Sequence, residues 1–158
     1  MSNEKTFRLE KRESVGIVIF KVIEEAMNTW TERALMSFRD VPDEREQDDT
    51  LIGVVFISGK PTNFFAGANL KVIERLNTWD DTMDALNIFH DSFKRTSKLK
   101  MPTVAAINGA CVGRGLEFVL ARTARHATGF PTDRAGPLKW ADLTGLSKRL
   151  FGTMFYRQ

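Results

Sequence analysis

Hydrophobic positions at Phe7 and Leu9 stand among charged neighbours, then run nearly unbroken through Val15–Phe20 (VGIVIF). This pattern predicts two short strands about a charged turn at Lys11–Ser14. Asn28 or Thr29 stands where a helix N-cap would, and the spacing predicts a helix from there to about Phe38. Val41–Thr50 (VPDEREQDDT) reads as a charged, solvated connector. Leu51–Ser58 (LIGVVFIS) is almost continuously apolar and rich in β-branched side chains, as expected of a strand covered on both faces. Gly59–Asn63 carries turn chemistry. Phe64–Asn69 (FFAGAN) then leads into a helix from near Leu70, with Asn69 suited to cap it.

A longer amphipathic helix is predicted from about Trp79 to Lys98, where Met83, Leu86, Phe89, His90 and Phe93 fall at helical spacing. Phe89, Phe93, Met83 and Leu86 read as core packing and His90 as structural. Met101-Pro102 ends the helix, Thr103–Ile107 (TVAAI) reads as a second buried strand, and Asn108–Gly115 (NGACVGRG) as a glycine-bearing loop. Leu116–Arg122 resumes helical character. Strand, loop and helix thus recur in order, which places the chain in the α/β class with loops at strand ends. Beyond Arg125 the sequence turns to Gly and Pro, and a last short helix is predicted over Lys139–Phe151. The expected boundary lies between Arg122 and Gly129, dividing the chain into residues 1–125 and 126–158.

The 158 residues suffice for one sizeable core, and 42% hydrophobic with 27% charged residues is ordinary for a globular protein. A net charge of +3 and a pI near 9.2 favour anionic ligands. The basic residues are interspersed with acidic ones, so a nucleic-acid partner is not expected. Cys111 is the sole cysteine, so no internal disulfide and no Cys/His metal set is expected, and a reducing, cytoplasmic setting fits. The polar N-terminus does not read as a secretory signal, and no apolar run is long enough to span a membrane.

Two loops carry candidate chemistry. Phe64–Leu70 (FFAGANL) follows one buried strand and opens a helix, where backbone N–H groups lack partners and small residues admit close approach of a ligand. Asn108–Glu117 repeats the arrangement after the next strand. Two such loops at neighbouring strand ends could aim two N–H groups at one carbonyl oxygen, the geometry of an oxyanion hole. On the residues alone each loop equally reads as a generic strand–helix turn, and Glu117 as a glutamate favoured near a helix N-terminus.

The segment FFAGANLKVI resembles the crotonase superfamily's Phe-x-Ala-Gly-Ala-Asp-(Ile/Leu)-Lys motif. KMPTVAAINGACVGRGLEFVLA resembles its Lys-Pro … Gly-Gly-Gly-x-Glu motif, in the same order and spacing. Met27-Asn28-Thr29 is similar to an early loop of fatty-acid β-oxidation alpha subunits. The resemblance covers about residues 5–125 and implies part of a crotonase (ClpP-like) ββα spiral fold. It implies backbone N–H groups of Ala68 and Arg114 as the oxyanion donors, Arg114 standing in place of a glycine whose backbone a thioester must approach. Glu117 matches the first of two glutamates that hold and activate the water added to an enoyl-CoA. The second has no counterpart, since no glutamate follows Glu117. Ala66, Ala68 and Leu70 fall at positions the resemblance assigns to coenzyme A, the two alanines through backbone carbonyls.

Gly129–Asp142 (GFPTDRAGPLKWAD) resembles a segment near the end of the same multifunctional subunits, within their 3-hydroxyacyl-CoA dehydrogenase region. Relative to them, the second part of the hydratase domain and the Rossmann domain are missing, as a large internal deletion would leave. Gly113-Arg114-Gly115 lacks the third glycine of a dinucleotide fingerprint, so no NAD site is expected. The expectation is an enoyl-CoA hydratase-like protein of impaired activity, using an acyl-CoA thioester as substrate, with no tightly bound cofactor and no metal. The alternatives are an inert acyl-CoA-binding or interaction protein and, second, an enoyl-CoA isomerase. A homo-oligomer or a complex with a thiolase subunit is implied by the resemblance alone.

Overall fold

The computed structural model describes residues 5–46 and 48–127, without the side chains of 42–46. The helix expected over Lys139–Phe151 and the segment Gly129–Asp142 lie outside these residues. Strands β1 (Phe7–Arg12) and β2 (Val15–Phe20) form the expected hairpin, antiparallel in register Phe7↔Phe20 to Arg12↔Val15, with Glu13 in the left-handed region at the turn. β3 (Gly53–Ser58) and β5 (Thr103–Ile107) are the two strands expected from their apolar runs, and they pair in parallel. The five-stranded sheet has the order β1-β2-β3-β5-β7, parallel from β2 onward. β7 (Ala124–Ala127) was not foreseen; it adds the sheet's last strand beside β5 and places His126 in a strand.

The helices occupy the crossovers. α1 (Glu32–Glu46) links β2 to β3, and its limits differ from expectation at both ends. Its cap is neither Asn28 nor Thr29. The Thr31 hydroxyl accepts from the Ala34 N–H at 3.1 Å and the Thr31 carbonyl from Leu35 N–H. The helix also continues through Pro42 to Glu46, so most of the expected connector is helical. Burial of Val41 in the core, one position before the proline, outweighs the proline's local cost. α2 (Leu70–Ile73) starts at the expected Asn69 cap, whose side chain accepts from the Lys71 N–H. α3 (Trp79–Ser97) opens on a capping box between Thr78 and Asp81, and α4 (Arg114–Leu120) follows the second loop.

One face of the sheet, with α1, α3 and α4, closes on an aromatic core of Phe7, Phe20, Trp30, Phe38, Phe65 and Phe118 among others. Trp30 sits at its centre, stacked on Phe65 at 4.4 Å between centroids. Phe89 and Phe93 are buried as expected, while His90 on the same helix is exposed. Ile17, Val55, Ile57, Val104 and Ala106 form the apolar layer of the opposite sheet face. No described helix is long and apolar enough to cross a membrane.

Candidate active site

β3 and β5 are neighbours running the same way, so the loops that follow them leave the same edge of the sheet. That is where ligands of open α/β sheets gather. Each loop contains a short strand, β4 (Asn63–Phe65) and β6 (Ala110–Cys111), and these pair in parallel. Val112 N–H extends the contact to the Phe65 carbonyl at 3.0 Å, and the Asn108 side chain donates across to the Lys60 carbonyl at 2.7 Å. The two loops expected to act together are therefore side by side.

Glycines permit this approach. A Cβ on Gly109 would lie 2.1 Å from the Thr62 carbonyl oxygen, and one on Gly115 would lie 2.3 Å from that of Phe65. Gly67 has φ +93 and Gly113 φ +53, conformations that side chains disfavour. A methyl group on Gly67 would come within 3.5 Å of the Arg114 nitrogen. The residue after each of these glycines, Ala68 and Arg114, thus begins at the contact between the loops. Trp30 N–H donates to the Gly67 carbonyl and the Trp30 carbonyl receives Asn69 N–H, which bracket Ala68 and leave its own N–H out of the ladder. Arg114 is the first residue of α4, where a helical N–H has no partner in its own helix. Neither N–H donates to a carbonyl of the described residues.

The Arg114 side chain turns back onto protein. Its guanidinium lies over the Phe89 ring at 4.9 Å and donates from Nη1 to Glu117 Oε2 at 3.0 Å. The arginine is half-buried and Glu117 is exposed. One carboxylate oxygen of Glu117 is thus engaged one helical turn from the paired N–H groups. Ala66 is held by its N–H to the Asn28 carbonyl, and Leu70 is exposed at the start of α2. Cys111 is half-buried, and burial pushes its thiol up from the ordinary value, as suits a packed thiol more than a nucleophile. Among the described residues no cluster of His, Cys, Asp or Glu could hold a metal ion.

Sequence reasoning missed the residues that hold the first loop. Asn28 is fully buried: its Oδ1 accepts from Val22 N–H at 2.9 Å, and its Nδ2 donates to Ser58 Oγ at 2.8 Å and the Phe64 carbonyl at 3.2 Å. Asn63 Oδ1 accepts from Asn28 N–H, and its Nδ2 reaches the Ala110 carbonyl of the second loop. Around the α2 cap, Glu25 receives Lys71 Nζ and Asn69 Nδ2, both at 3.2 Å. These hydrogen bonds, first from Lys71 and then from Asn69, hold the Glu25 carboxyl below its usual range.

A family model for enoyl-CoA hydratase/isomerase matches residues 10–127. The chain belongs to this family. Among curated relatives it is similar to the fatty acid oxidation complex subunit alpha of Idiomarina loihiensis, 38% identical over 129 residues, 81% of this chain and 18% of that protein. The subunit of the same name from Shewanella halifaxensis is 38% identical over 122 residues, 77% of this chain and 17% of the relative. The chain thus spans less than a fifth of the curated relatives it matches. Among solved structures, Pseudomonas aeruginosa DspI superposes with a TM-score of 0.73 at 24% identity, covering 82% of this chain and 52% of that one. An enoyl-CoA hydratase from Bacillus anthracis gives 0.71 at 22% identity, with 77% and 47% covered. These likenesses establish the crotonase-type α/β fold of the enoyl-CoA hydratase/isomerase chain.

Proposed function

We propose that the chain binds 2-enoyl-CoA thioesters between its two loops and adds water across their double bond. The observation that carries this reading is the side-by-side seating of Ala68 and Arg114 with both backbone N–H groups unengaged by the described protein. The thioester oxygen would accept both donors, which then meet the negative charge that builds as water attacks the β-carbon. Glu117 takes the proton from the attacking water, whose oxygen bonds to the β-carbon, and the Glu117 carboxyl then gives that proton to the α-carbon as the enolate collapses. The product is the 3-hydroxyacyl thioester, and no co-reactant is required. The carbonyls of Ala66 and Ala68, with Leu70 at the mouth, receive coenzyme A. The names of the curated relatives support placing this reaction in fatty acid oxidation.

A second reading is favoured by one contact, the engagement of Glu117 Oε2 by Arg114, together with the lack of any glutamate after Glu117. In it the chain binds acyl-CoA without turnover. Crotonyl-CoA hydration, followed as loss of the conjugated thioester absorbance, separates the two. Under the first reading Glu117→Gln lowers the rate by about 10²–10⁴-fold, the usual worth of acid–base assistance. Equal background rates in both proteins, with saturable quenching of tryptophan fluorescence by acetyl-CoA, would establish the second.

A further inference from the structure

Arg114 brings a charge to a position where the resemblance expects a glycine, and its side chain stays at the site instead of leaving it. The guanidinium lies 4.9 Å from the centre of the Phe89 ring, a core residue of α3, and its Nη1 donates to Glu117 Oε2 at 3.0 Å. The arginine side chain keeps 21% of its surface exposed and the glutamate 54%, so the cation is the more enclosed partner of the pair. Nε and Nη2 make no hydrogen bond among the described residues. A guanidinium is a planar fork of several N–H donors, so it can serve two carboxylates along different edges.

On the reading of the two loops as an enoyl-CoA site, on which this inference rests, the groups fall in order along the acyl chain. The carbonyl oxygen is held by the N–H groups of Ala68 and Arg114, and the β-carbon faces the water on Glu117. The Arg114 guanidinium is hydrogen-bonded to that same carboxylate, so the carbons beyond the β-carbon meet it. Counted in bonds, the arm from Arg114 Cα to Cζ matches a short acyl chain from its carbonyl to a distal carboxyl group. An apolar chain end would strip water from this half-buried cation and give nothing back. A carboxylate there accepts from Nε and Nη2, in the paired geometry that suits arginine.

We infer that Arg114 selects 2-enoyl-CoA thioesters whose short acyl chain ends in a carboxylate. Its main chain holds one end of the acyl group and its side chain the other.

The test titrates the full chain with glutaryl-CoA and with pentanoyl-CoA, which share the coenzyme and the acyl length and differ in the distal carboxylate. Heat of binding is the readout, and neither probe has a double bond to hydrate. Glutaryl-CoA should bind at least about tenfold more tightly, the worth of a charge-assisted hydrogen bond. Arg114→Met keeps the backbone N–H and an apolar arm for Phe89, and it should bring the two affinities together. Glu117→Gln leaves the arginine in place without its resident carboxylate, and it should widen the preference. Equal affinities in the wild type, or a preference that survives Arg114→Met, would overturn the inference and leave the acyl-CoA reading intact. Failure of both thioesters to saturate would overturn that reading, and the inference with it.

Discussion

Glycine positions decide how closely the two loops meet, and they make unequal demands. A methyl at Gly115 would press on the Phe65 carbonyl, a backbone atom fixed by β4, whereas one at Gly113 would have nothing nearer than 3.8 Å. Gly113 instead holds φ +53 with ψ −130, a backbone conformation close to glycine's own. Gly115→Ala should therefore cost about 3 kcal/mol, the upper end for overpacking, because the atom it meets is backbone. Gly113→Ala should cost roughly 1–3 kcal/mol through backbone strain, with the protein still folded. Urea midpoints of the two variants check the order; a milder effect at Gly115 would mean that the loops can part. At this scale the sequence was partly legible. Asn69 caps α2 because a cap acts on an N–H only two residues away. The course of the Arg114 side chain was not legible, because Phe89 lies far along the chain on another helix.

At the scale of elements, β3 and β5 were readable because strands buried on both faces are apolar throughout, and α3 because one face of a long helix is apolar. α1 was misjudged where local and tertiary signals conflict. Asn28 has the side chain of a cap, yet its partners are six to thirty-six residues away, at Val22 just after β2 and in β3 and β4, and Thr31 performs the capping. Thr31→Ala should cost about 1 kcal/mol, the usual worth of an N-cap. Asn28→Ala should cost about 2–4 kcal/mol, since it leaves the buried Val22 N–H and Phe64 carbonyl without this partner. Chemical denaturation of both variants tests this order, and equal losses would show that water replaces the asparagine. β7 escaped notice because Ala124–Ala127 (ARHA) is mostly exposed and its strand identity comes from pairing with β5.

At the scale of the whole molecule, Arg122 joins β3, α3 and α4 through one side chain. It is almost wholly buried, with its guanidinium against Phe56 of β3 at 5.0 Å and Phe118 of α4 at 4.6 Å, a polar tie in addition to the one between Phe7 N–H of β1 and Ser37 Oγ of α1. Nε donates to the Phe118 carbonyl and Nη2 to Thr96 of α3, while Nη1 has no partner and no carboxylate faces the group among the described residues. Burial pulls its pKa down to about 9. The ordinary arginine value is above 12, so between the two the unfolded chain binds more protons than the folded one, and stability rises with pH. Below about 9 the folded protein carries the full cost of an uncompensated cation. Arg122→Met keeps much of the packing and lacks this titration. The stability difference should therefore shift toward the wild type as pH rises past 9, by up to about 1.4 kcal/mol per pH unit. Urea midpoints of both proteins at pH 8 and pH 10 measure the shift. A difference that stays flat would mean that the two rings, Thr96 and the Phe118 carbonyl keep the guanidinium charged, and that the junction of α3, α4 and the sheet is built around a cation.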